Sequence, residues 1–180
     1  KGDMNFFFDE LDRKMDLAVR QLNERFAIQC KKRVHNFPFL MGQGVWLDSD
    51  KLDWNDEVGE VLKHGTLSVG FIGLAETLKA LIGVHHGESE KAQNLGLEII
   101  GYMRSYLDQM SQKTGLNYTL LATPAEGLSG RFVRMDKKRF GIIEGVTDRD
   151  YYTNSFHVPV YYNISAFKKI KLEAPYHALT

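Results

Sequence analysis

One thiol is all that this chain of 180 residues carries. Cys30 alone excludes an intrachain disulfide and fits a reducing, cytoplasmic setting. Net charge is as scarce, because 23 Lys and Arg balance 23 Asp and Glu. No surplus positive field exists to draw nucleic acid or an anionic membrane, so neither is expected as a partner. A nucleotide needs only a few local donors, and neutrality leaves that open. The apolar runs fall far short of the roughly 20 residues that span a bilayer, and no charged-then-apolar leader opens the chain. There is no GxGxxG dinucleotide fingerprint, no internal repeat, no low-complexity tract and no evident linker. The length suits one domain with a real core, taken here as a single partial domain over 1–180. The opening KGDMNFFFDELDRK has the form of a helix start and the closing PYHALT carries no stop signal, so both ends have the look of cuts from something longer.

What is present is ordinary globular composition, 43% hydrophobic and 26% charged. Met4, Phe8, Leu11, Met15, Ala18, Leu22 and Phe26 recur at three or four residues and predict a long amphipathic helix, with Asp3 as N-cap and Asp9, Glu10 and Asp12 favouring its positive end. Residues 33–50 break that period at Pro38, Gly42 and Gly44, yet are too apolar for a solvated linker, so irregular structure packed on the core is expected. A short helix is predicted over 53–63. A short apolar strand within 65–73 then leads into another helix. Residues 88–113 predict a second long helix, with Ala92, Leu95, Ile99, Tyr102, Tyr106 and Met110 on one stripe and Gly115 as a left-handed cap. YTLLA at 118–122 is expected to be a buried strand, and a last short helix lies near 165–170. Helices alternating with short apolar strands predict an α/β fold with long helices packed on short, buried, parallel strands.

Five segments are weighed for chemistry. Thr123-Pro124-Ala125-Glu126-Gly127 follows a strand and opens a helix. As pure structure it is a capping box: Thr123 caps, Pro124 fills the first helical position, and Glu126 reaches back to the Thr123 amide. As a site, its small residues leave backbone N–H groups bare at a positive helix end, which suits a phosphate. Gly127 and Gly130 would each cost about 1 kcal/mol inside a helix relative to alanine, so close approach of a ligand or a backbone is expected to compensate. In Val69-Gly70-Phe71-Ile72-Gly73 the glycines point first to close backbone packing, with ligand contact at Ser68 or Gly70 as the second option. Thr153, Asn154, Ser155 and His157, set between aromatics, either line a pocket that bonds a sugar or base, or satisfy a turn. His85 and His86 are adjacent, complete no metal-ligand spacing and are expected in a solvated loop. Lys31 and Lys32 beside Cys30 favour a thiolate, but no partner or matched base accompanies it.

NFPFLMGQGVWLDSDKL at 36–52, GTLSVGFIGLAETLKAL at 65–81, LLATPAEGLSGRF at 120–132 and TNSFHVPVYYN at 153–163 together resemble, in the same order, segments of the anaerobic, glycyl-radical ribonucleoside-triphosphate reductases. The resemblance spans most of the chain. It implies that the chain is part of a ten-stranded α/β barrel built around a finger loop. It also implies reduction of ribonucleoside triphosphates to deoxyribonucleotides: a glycyl radical generates a thiyl radical on a loop cysteine, the thiyl takes the ribose 3′ hydrogen, and formate supplies the reducing equivalents. A structural zinc, a radical-SAM activating enzyme and a homodimer of the intact protein are implied as well. The radical cysteine is expected before Lys1, and the zinc cysteines and radical glycine after Thr180. The family's N-terminal ATP-binding regulatory region is also missing. Cys30 has no finger-loop context, so no catalytic residue is carried over, and the fragment alone is expected to be inactive. The TPAEG turn resembles the family's turn near the substrate phosphates. The substrate-binding candidates are therefore Thr123, Pro124, Ala125, Glu126 and Gly127, with Asn154, Ser155, His157, Ser68 and Gly70 beside them. A non-catalytic nucleotide-binding or scaffolding module on the same half-barrel is the alternative. Another glycyl-radical enzyme, of the formate acetyltransferase kind, lacks support beside TPAEG and TNSFHVPV.

Overall fold

The computed structural model describes residues 2–180. Helix α1 spans Met4–Cys30, four residues past the last predicted stripe position. Asp3 caps it, its carboxylate accepting the Phe6 N–H at 3.1 Å. Met15 and Val19 are buried, with Phe8, Leu11 and Leu22 packed beside them. Asp9, Glu10 and Asp12 lie beyond the first turn, where the dipole has faded. Asp12 instead accepts the Tyr102 hydroxyl at 2.7 Å, and Asp16 accepts that of Tyr106.

After α1 the chain builds a small separate core. Val34, Met41, Val58 and Val61 are buried together, with Phe37, Trp46 and Leu52 against them. The irregular packing expected of 33–50 is found, but on this satellite cluster. The helix predicted over 53–63 shrinks to α2, Gly59–Leu62. The physical reason is that the Asp53 N–H donates to the Asp56 carboxylate at 2.9 Å, and Val58 N–H donates to Lys32 O at 2.9 Å. These bonds pull 53–58 into turns and pairing before a helix can start.

Strand β1 (Thr66–Phe71) and strand β2 (Asn117–Ala122) pair in parallel, from Thr66 opposite Asn117 to Phe71 opposite Ala122. Helices α3 (Leu74–Ile82) and α4 (Glu90–Thr114) form the crossover that a parallel pair requires. Ser89 caps α4 by accepting the Ala92 N–H at 3.1 Å, and Gly115 closes it at φ 72°. The predicted α4 stripe is displaced. The buried side is Ala92, Gly96, Ile99, Ile100, Met103 and Leu107, while Tyr102 and Tyr106 face α1. A helix wedged between two partners has two apolar faces, and the sequence pattern showed their average. Gly96 is where α6 (Ala166–His177) touches, since a Cβ there would lie 2.3 Å from the Tyr176 hydroxyl. Helix α6 itself runs well beyond the predicted 165–170.

The strands are buried on one face only, which corrects the expectation of buried strands. Val69, Tyr118 and Leu120 point into the core, whereas Thr66, Ser68, Gly70, Asn117 and Leu121 are exposed. Helix α5 (Gly127–Phe140) follows β2. Mixed α/β structure is thus present, with two parallel strands as the whole sheet among the described residues. No described helix is long and apolar enough to cross a membrane.

The two histidines also depart from expectation. His85 and His86 are each 1% exposed. The adjacent rings lie in aromatic surroundings, His85 edge-on to Tyr162 and His86 edge-on to Tyr176. Neither ring nitrogen of His86 has a hydrogen-bond partner, and burial, reinforced by His85, lowers its pKa to about 4. An unfolded histidine titrates near 6.5, so between those values the unfolded chain binds a proton that the folded chain refuses. Stability therefore falls as pH drops through that window, by about 3 kcal/mol from this residue. His86→Phe in the intact protein is expected to lose less stability between pH 7 and pH 4.5 than wild type. Chemical denaturation at both values checks this, and an unchanged acid loss would contradict it.

Candidate functional site

The site is built where both strands end side by side. Register places Phe71 opposite Ala122, so Ile72 and Thr123 leave the sheet together. Thr123 is not a helix cap. Its hydroxyl donates back to Leu121 O at 3.3 Å, and Pro124 after it holds it extended. Helix α5 starts only at Gly127, behind Glu126, whose side chain makes no capping bond. The expected capping box is overturned, and Pro124 is exposed outside the helix rather than at its first position.

The turn closes differently. Leu128 N–H donates to Ala125 O at 2.8 Å, around Glu126 and Gly127. Glu126 has φ 40° and ψ −120°, the first central position of a type II′ turn, which normally belongs to glycine. Ser129 Oγ donates to Glu126 O at 2.7 Å and steadies it. Among the described residues, no acceptor meets the Glu126 or Gly127 amide. A Cβ on Gly127 would meet no atom within 4 Å, so the space in front of it is open. The turn thus presents two free N–H groups at the start of a 14-residue helix, an arrangement that attracts an anion.

The segment around Asn154 crosses the strand ends and meets this turn. Asn154 Oδ1 accepts the Ala125 N–H at 3.2 Å, while its backbone bridges Ile72. Gly73 N–H donates to Thr153 O at 2.7 Å and Leu74 N–H to Ser155 O at 3.3 Å. Ser155 is buried at φ 44°, so it builds this junction and offers no hydroxyl to solvent. His157 is half-exposed, with Nδ1 at 3.2 Å from Glu173. Burial would raise the Glu173 carboxyl, but Lys169, the Val158 amide and His157 hold it below the usual range. Thr153, Asn154, His157, Ser129 and Lys169 line a cavity of about 330 Å³ beside the turn. Sequence reasoning included Thr153 in the polar stretch but missed its partner, Glu76. Glu76 Oε1 accepts both the Thr153 N–H and its hydroxyl, and burial pushes its carboxyl up against those bonds. A charged residue inside the apolar run GLAETLKAL was the signal that could have found it.

Ser68 and Gly70 lie on the bare face of the sheet. Ser68 Oγ is 3.0 Å from Thr119 Oγ1. Gly70 lies beneath Thr123, whose Oγ1 would stand 1.9 Å from a Cβ there. That close approach accounts for the glycine. Cys30 is remote in character as well as sequence: burial and the nearby Glu57 and Glu60 raise its thiol pKa, against the thiolate that Lys31 and Lys32 suggested. No group of three or more His, Cys, Asp or Glu side chains among the described residues is placed to hold a metal ion.

Comparison with known proteins was decisive for the family. The sequence profile described as "Anaerobic ribonucleoside-triphosphate reductase" matches residues 1–180. The chain belongs to the anaerobic ribonucleoside-triphosphate reductase family. Relatives of that name in this reductase family include one from Salmonella typhimurium, 40% identical over 99% of this chain, and one from Escherichia coli, 39% identical over 99%. One from Haemophilus influenzae is 32% identical over 96%. In each case the chain spans about a quarter of the relative's length, 25%.

Two substitutions test the geometry. Gly70→Ala is expected to destabilise the intact protein, and Thr123→Ala combined with it to recover most of the loss, a coupling of about 1–3 kcal/mol. Additive losses in thermal or denaturant midpoints would contradict the contact. Glu126→Gly relieves a backbone conformation that only glycine adopts freely, and is expected to stabilise by about 1 kcal/mol. A lower midpoint would show that the Glu126 side chain makes up for its strain.

Proposed function

We propose that this chain is part of the catalytic domain of an anaerobic ribonucleotide reductase, and that Thr123 to Gly127 hold the phosphates of a ribonucleoside triphosphate. The observation that carries the reading is the pair of unbonded amides at Glu126 and Gly127, in open space at the start of α5. Asn154 supports it by holding the neighbouring Ala125 amide inward, so that the next two N–H groups are left for a ligand. His157 and Lys169 edge the adjoining cavity, where a sugar or base would follow the phosphates. The ten-stranded barrel belongs to this reading, and β1 and β2 would be two of its strands with Ser68 and Gly70 on the inner face. The Glu126 carboxylate is exposed and would repel a triphosphate, so in this reading it is the Glu126 backbone N–H, and not its side chain, that meets the phosphates.

The remaining chemistry lies outside these residues. A glycyl radical with formate would supply the radical and the electrons, a radical-SAM enzyme would generate the radical, and the intact protein would act as a homodimer. The described residues hold no cluster fit for the family's structural zinc. What this chain's own residues do is bind and orient.

The test is Gly127→Val in the full-length protein. The side chain fits the fold, since nothing occupies that space, but it obstructs approach to the two amides. Nucleotide affinity is expected to fall by about tenfold or more, equivalent to about 1.4 kcal/mol, with the thermal midpoint nearly unchanged. Unaltered triphosphate affinity in the folded variant would sink the phosphate site.

A further inference from the structure

Glu76 is the third residue of α3, and only 5% of it is exposed. A glutamate at that position ordinarily turns back to the amide of its own helix cap. Here the cap amide, Gly73 N–H, is already given to Thr153 O at 2.7 Å. Glu76 reaches the same residue from its other side, accepting Thr153 N–H at 3.0 Å and the Thr153 hydroxyl at 2.7 Å, both on Oε1. Thr153 is therefore held by all three of its polar groups. The second carboxyl oxygen, Oε2, is buried without a partner. An apolar residue here would strand the buried Thr153 N–H and hydroxyl, so the carboxyl is kept by its bonds to Thr153 and not by packing alone.

The residue after Thr153 is Asn154, and its side chain holds the turn. Its amide oxygen takes the Ala125 N–H, the amide immediately before the two free ones. We propose that Glu76 is a positioning residue for the phosphate turn: by fixing Thr153 it fixes the Asn154 side chain on Ala125, and thereby sets where the Glu126 and Gly127 N–H groups point. Glu76 touches no ligand itself. The proposal rests on the reading of Thr123 to Gly127 as the phosphate site.

The experiment compares dissociation constants in the full-length protein for a ribonucleoside triphosphate and for the matching nucleoside, measured by competition. Glu76→Ala is expected to weaken the triphosphate by about tenfold and to leave the nucleoside within about twofold. Glu76→Gln retains an oxygen for both Thr153 donors and is expected to restore triphosphate affinity. Asn154→Ala is expected to weaken the triphosphate at least as much as Glu76→Ala, and the double variant to lose no more triphosphate affinity than Asn154→Ala alone, because both act through one bond. A general structural role would weaken both ligands alike and give additive losses, and either result overturns the proposal. If Glu76→Ala does not fold, Thr153→Val carries the test: it keeps the backbone bond, removes the hydroxyl bond, and is expected to weaken the triphosphate by about threefold. An unaltered triphosphate constant in Thr153→Val then overturns the proposal. Gly127→Val separates the two readings. If it has no effect, the phosphate site fails and this inference with it. If it weakens the triphosphate while Glu76→Ala does not, only the role of Glu76 fails.

Discussion

Thr153, Asn154 and Ser155 cross the carboxyl ends of the two strands, and their hydrogen bonds decide where the candidate site stands. Gly73 and Leu74 donate into the Thr153 and Ser155 carbonyls, satisfying N–H groups that the start of α3 would otherwise leave open. Asn154 gives its backbone to Ile72 and its side chain to Ala125. One short segment thus ties the exit of β1 to the exit of β2. Its backbone groups are matched in pairs, which a solvated loop would not need.

The strain in the molecule gathers at the same place. Three non-glycine residues have positive φ, and two of them, Glu126 and Ser155, flank the Asn154–Ala125 bond on either side. Backbone held in such conformations persists where the surroundings over-determine it, and it concentrates at sites that bind or react. The bare polar face of the sheet points the same way. Parallel strands are as a rule covered on both faces, yet Ser68, Thr119 and the Thr123 hydroxyl over Gly70 form a polar row beside the turn. These small hydroxyl side chains leave room above the sheet, with Leu121 standing beside them on the same face.

Much of the fold is legible in the sequence. The three-and-four spacing from Met4 to Phe26, the Asp3 cap, Gly115 and the run YTLLA each act through neighbours in sequence. Local chemistry therefore located α1, the end of α4 and β2. The displaced stripe on α4 and the burial of His85 and His86 were not legible, because both depend on which elements pack against them. The capping box failed for a related reason. Thr123, Pro124 and Glu126 have the right identities and spacing, but Thr123 stays with its strand and α5 begins later.

The sequence by itself determined the family and the alternation of helix and strand, and it singled out the candidate segments, because motif and periodicity are properties of neighbours along the chain. Only the tertiary structure decided that Asn154 serves Ala125, that Ser155 is walled in, that Gly70 makes way for Thr123, and that Glu76 holds Thr153. Glu76 and Thr153 are 77 residues apart. No spacing rule joins two residues so distant; the parallel pairing of β1 with β2 and the strap folded across their ends do.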